Sequence, residues 1–322
     1  MLSEKLAAAP FDDARADLIL QSSDEIHFRV FKLIISLASP IFTDMFRIPS
    51  PPSQNSHEVQ VVSLSEDSTA LDVALRHIYP MPTLEGDTLS YASILTEFAR
   101  KYEVNGLDKY ISRYLTAGIE LDPVGVYAMA IAYGYNSIGV NAARSCLNLR
   151  FSDLQSPYLR CITTELELLK YYAACGEAAS VFASSNQTWS WSLGKFVPKC
   201  RDLSACQSCF GMSYYIDVDD NRTVRRVPRC VWNYLDRSAL LLARRPGVEA
   251  ITAEDFVLES NDCDSCKLYM RAQLLEFSAV LGKEIKRVVE QVSLLYHCTH
   301  LSMFAMNDVA GSLTEGYFHE NE

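Results

Sequence analysis

The sequence predicts an α+β fold, with a short β-sheet and a helical cluster near the N-terminus and a mostly helical remainder. Three observations carry that prediction. Asp17-Leu18-Ile19-Leu20 and Ile26-His27-Phe28-Arg29-Val30 are short runs with strand character, and the second alternates apolar and polar as a strand with one buried face does. Between them, Ser22-Ser23-Asp24-Glu25 has the short polar side chains that compete for backbone hydrogen bonds in turns. From Leu33 the apolar period changes from two to three and four, the spacing of a helix face, and helical spacing dominates the rest of the chain.

Taken in order, residues 1–14 read as a flexible leader, and the two strands form a hairpin. Leu33, Ile34, Leu37, Ile41, Phe42, Met45 and Phe46 then mark one helix or two short ones. Ser39-Pro40 sits inside that pattern, where the serine can cap a new helix and the proline suits its first turn. The proline-rich stretch from Arg47 to Ser56 cannot hold a helix or a central strand and reads as a loop. Val59 to Val62 is a strand candidate. A helix follows from Glu66 to Tyr79, started by Ser65 or Asp67 and stopped by Pro80. Two more helices cover Leu89 to Tyr102 and Gly106 to Leu115. The expected core of this part is Leu18, Leu20, Phe28, Leu33, Leu37, Phe42, Met45, Phe46, Leu71, Leu75 and Tyr79.

Beyond it, Asp122-Pro123 starts a helix carrying Val126, Tyr127, Met129, Ala130 and Tyr133, and helices follow over Val140 to Leu149 and Thr164 to Phe182. After a polar link ending in Trp189 and Trp191 the composition shifts, since seven of the ten cysteines lie from Cys200 onward. Helices are expected from Val231 to about Arg245 and from Leu268 to Leu295. The second would bury Leu274, Phe277, Leu281, Ile285, Val288, Val292 and Leu295 along one face. The expected organisation is a leader at 1–14, an α+β domain at 15–116, a helical extension at 117–185, a cysteine-bearing helical module at 186–305 and an acidic tail at 306–322.

Composition narrows the function classes. Hydrophobic residues are 49% and charged residues 21%, which suits a globular chain rather than a disordered one. The net charge of −11 disfavours direct nucleic-acid contact and anionic membrane surfaces, while leaving room for a local basic patch such as Arg222 to Arg229. No run is long and apolar enough to span a bilayer, and the N-terminus lacks the pattern of a secretory signal, so an intracellular setting, cytoplasm or nucleus, is expected.

The strongest chemical signal is the pair of motifs Cys206-x-x-Cys209 and Cys263-x-x-Cys266. Two intervening residues let both sulfurs face one ion, and four thiolates make a tetrahedral zinc site. The interval from Cys209 to Cys263 exceeds the roughly 15–20 residues of a zinc ribbon, so four small buried thiols are the alternative. A thiol redox enzyme is a weaker third reading, because the flanking pattern is helical rather than βαβ. No phosphate-binding loop occurs, as Gly134-x-x-x-x-Gly139 lacks the following Lys-Ser/Thr, and no catalytic constellation is expected.

Asp17, Phe28, Lys32 and Ser39-Pro40-x-Phe42-x-x-Met45-Phe46, with Ile78-Tyr79 at a helix end, resemble a BTB/POZ domain. Pro123-x-x-Val126-Tyr127-Ala128-x-Ala130 and Leu168-Leu169-Lys170-Tyr171-Tyr172-x-x-Cys175 resemble the helical extension that follows this domain in many fungal proteins. With the two Cys-x-x-Cys pairs, the likeness to basidiomycete-type BTB proteins runs from about residue 15 to 296. It implies a protein–protein interaction module that forms a homodimer and scaffolds a protein partner. Some relatives link a partner to a cullin-type ubiquitin ligase. Two departures stand out: Phe31 replaces the family's histidine before the lysine, and Ile48-Pro49-Ser50 replaces the adaptors' hydrophobic-x-Glu motif.

Overall fold

The computed structural model describes residues 5–47, 59–81, 86, 88–160, 162–184, 214–217, 224–227, 229–260 and 263–292. The chain divides into two compact units, Met1–Asp122 and Pro123–Glu322.

Among the described residues, the first unit holds a four-stranded sheet and five α-helices. Strands β1 (Lys5–Leu6), β2 (Leu18–Gln21), β3 (Ile26–Val30) and β4 (Gln60–Ser63) lie in the order β1-β3-β2-β4. β2 and β3 form the expected antiparallel hairpin, with Leu18 opposite Val30 and Leu20 opposite Phe28. These four side chains are buried, so one sheet face belongs to the core. β4 joins β2 in parallel and β1 joins β3 in parallel. The stretch read as a flexible leader therefore contributes a strand. It also contributes a buried aromatic: Phe11 is 1% exposed, against Phe28 and edge-on to Tyr79. A single phenylalanine among alanines, without periodicity, gave no sign of this.

Helices α1 (Lys32–Ala38) and α2 (Pro40–Arg47) are two short helices broken at Ser39. The Ser39 hydroxyl accepts the Phe42 N–H at 3.1 Å, which is the expected N-cap, and donates to the Tyr102 carbonyl. α3 (Ser68–Ile78) is capped by Asp67, whose carboxylate accepts the Ala70 N–H at 2.8 Å. α4 (Thr88–Tyr102) and α5 (Asp108–Gly118), joined by a 3-10 turn at Asn105–Leu107, complete the unit. Phe42 stacks on Tyr102 with ring centroids 4.6 Å apart. Burial alone would raise the Glu66 carboxyl, but hydrogen bonds from Lys101 and Tyr102 hold it below its usual value, tying the end of α4 to the start of α3.

The second unit is mostly helical: α6 (Pro123–Tyr133), α7 (Asn136–Cys146), α8 (Ile162–Ser184), α9 (Arg229–Leu242), α10 (Glu249–Thr252), α11 (Glu254–Glu259) and α12 (Asp264–Gln291), with a hairpin of β5 (Tyr214–Asp217) and β6 (Val224–Val227). α6 is buried from Pro123 through Ala130, as a helix apolar all round must be. α8 packs on α9 where Gly176 leaves room: a Cβ there would lie 3.1 Å from the Ala243 carbonyl oxygen. Beside that crossing, the Tyr172 hydroxyl reaches the Leu149 carbonyl at 2.7 Å and that of Arg244 at 2.8 Å, and the Gly247 N–H bonds the Leu147 carbonyl. Along α12 the buried face is Met270, Leu274, Phe277, Leu281, Ile285 and Val289. Val289 takes the place expected for Val288, and Leu295 lies outside the described residues.

Candidate interaction surface

Two residues placed in the core by their spacing are on the surface. Leu33 is 69% exposed and Leu37 80% exposed, and Ile35 is the buried residue of α1. The physical reason is the break at Ser39. It resets the helical phase, so a periodicity running from Leu33 to Phe46 mixes two helices with different inward faces. Met45, Phe46 and Tyr79 are half-buried, whereas Leu18, Leu20, Phe28, Phe42, Leu71 and Leu75 are buried as expected.

α1 is nonetheless firmly held. At its start the Lys32 N–H donates to the Asp17 carboxylate at 2.8 Å, and the Phe31 N–H donates to the Tyr79 hydroxyl at 2.8 Å. Burial raises the Tyr79 phenol above its ordinary value, so it stays neutral at this contact. At its end the Thr43 hydroxyl bonds the Ser36 and Ser39 carbonyls, binding α1 to the turn that follows. Two leucines one helical turn apart thus project from a fixed platform, an arrangement suited to burial against another protein surface.

The cysteines are distributed differently. Cys206 and Cys209 lie outside the described residues. Cys263 is the half-buried N-cap of α12 and Cys266 falls in its first turn, three positions on. Among the described residues no group of three or more His, Cys, Asp or Glu side chains is placed to hold a metal ion. Cys146, Cys175 and Cys230 are buried in the second unit. Burial pushes the Cys175 thiol up to about 11, against the opposing pull of the Tyr171 hydrogen bond and the Arg144 charge. A thiol so protonated at neutral pH is a packing group and not a nucleophile.

No helix among the described residues is long and apolar enough to cross a membrane. A family model described as BTB/POZ domain matches residues 11–118, which takes in Phe11 and the whole of α5. No curated protein matches the chain.

Proposed function

We propose that this chain, whose residues 11–118 form a BTB/POZ domain, is a protein–protein interaction module that self-associates through that domain and scaffolds a second protein. BTB/POZ domains generally act as interaction modules rather than enzymes, and an intracellular setting suits the role. The observation that carries the reading is the exposure of Leu33 and Leu37 on a helix anchored at both ends. An isologous dimer would bring the same two leucines from each copy to the two-fold axis. The cullin-adaptor alternative is disfavoured by the sequence Ile48-Pro49-Ser50, which has serine where the adaptors' hydrophobic-x-Glu motif has its glutamate.

Sedimentation velocity of the full chain at roughly tens of micromolar, enough to populate a specific complex, tests the reading. The parent should sediment as a dimer, and the double variant Leu33→Glu/Leu37→Glu as a monomer with an unchanged circular dichroism spectrum. A monomeric parent removes self-association from the function. A dimeric double variant moves the interface elsewhere.

A further inference from the structure

The second face of the first unit's sheet carries polar side chains beside the buried Ile19, which is 7% exposed. Phe28 and Val30 point to the core, so the alternating residues His27 and Arg29 occupy the opposite face, about 7 Å apart along β3. Register places Gln21 of β2 and Leu6 of β1 beside His27, and Ile19 of β2 beside Arg29, with Val61 and Ser63 of β4 completing the rows. His27 Nδ1 and Arg29 Nε are both shut off from solvent and make no hydrogen bond. Three carboxylates of the same unit are engaged with other groups: Asp13 holds Arg15, Asp24 holds Ser68, and Glu66 holds Lys101. Gln21 accepts from the Ser63 hydroxyl through its side-chain oxygen at 2.8 Å. At the two flanks Leu6 is 40% and Val61 49% exposed.

We propose that this sheet face is a docking site for a partner segment bearing an aspartate or glutamate between apolar side chains. The carboxylate would take the Arg29 and His27 donors, and the apolar neighbours would cover Leu6 and Val61 across about 14 Å of sheet. Charge complementarity selects an acidic occupant: Arg29 is a fixed positive charge with no ion pair among the described residues. An unpaired donor excluded from water costs free energy that a bound acceptor recovers. The inference rests on the interaction-module reading and names a partner chemistry for it, on a face other than the α1 leucines.

A displayed library of short random peptides, panned on the full chain and counter-selected on the Arg29→Leu variant, tests it. Peptides that require Arg29 should carry Asp or Glu flanked by apolar residues. In fluorescence anisotropy their binding should weaken about tenfold or more on Arg29→Leu, and likewise when the peptide's acid becomes its amide. If Arg29→Leu fails to fold, Arg29→Gln and His27→Gln replace it with a smaller change in shape. Peptides that bind parent and variant equally, or that require Arg29 without carrying an acid, overturn the proposal. So does a change of oligomeric state in the Arg29 variant, since a second copy would then be the occupant. That outcome is separable from the α1 test, which is read on Leu33 and Leu37.

Discussion

Phe42 and Leu37 are both large apolar residues in one apolar series, yet one is 1% and the other 80% exposed. Spacing alone could not separate them, because it reports that a face exists and not which way it points after a break. Phe42 packs against Phe46, Phe98 and Tyr102, and Phe42→Ala should cost about 3–5 kcal/mol in a denaturant melt. His77 was invisible to sequence reasoning, for no pattern marks it. It is buried, its Nδ1 bonding the Val73 carbonyl at 2.7 Å and its Nε2 the Tyr114 hydroxyl at 2.8 Å, with the Tyr110 ring edge-on. Burial lowers its proton affinity, opposed by the Val73 bond. The unfolded chain therefore binds a proton near its ordinary pKa of about 6.5 while the folded chain resists it. Stability should hold above that pH and decline below it, down to the folded-state value. His77→Phe should flatten the slope between about pH 6.5 and pH 5, above the range where most carboxylates titrate, while lowering stability at neutral pH. Equal slopes in parent and variant would remove His77 as the cause.

At the scale of elements, the hairpin, α1 to α5, α6 and α12 were all legible, because each has a clear period, cap or stop. Ser39, Asp67 and Pro123 act at the helix starts where they were read. What was not legible depends on partners distant in sequence. β1 has two residues and exists through its pairing with β3. The junction after α9 is similar. Gly247 lies so close to Asn148 that a Cβ would come within 2.9 Å of the Asn148 Cα, a backbone atom with little freedom to retreat. Gly247→Ala should therefore destabilise the chain by about 1–3 kcal/mol, read as a lowered thermal midpoint. A neutral result would mean that the Leu147–Asn148 backbone yields.

For the whole molecule, the α+β beginning and helical remainder follow the sequence reading, and the division at Asp122/Pro123 falls at the helix start that Asp122-Pro123 marked. The cysteine site is a matter of spacing alone. If Cys206, Cys209, Cys263 and Cys266 bind a structural zinc, purified protein should carry about one zinc per chain, and a strong chelator should lower the melting temperature. Elemental analysis without zinc returns these cysteines to packing. Finally, the crossing of α8 and α9 at Gly176 bears on how such a chain is inherited and borrowed. The two helices come from stretches separated by more than forty residues, and Ala179 and Ala183 of α8 are buried in the same unit as Leu235 and Leu242 of α9. A recombination event between Asp122 and Pro123 would transplant an intact unit. One near residue 185 would leave each half with an exposed seam, so gene shuffling should preserve everything after Pro123 as a single cassette.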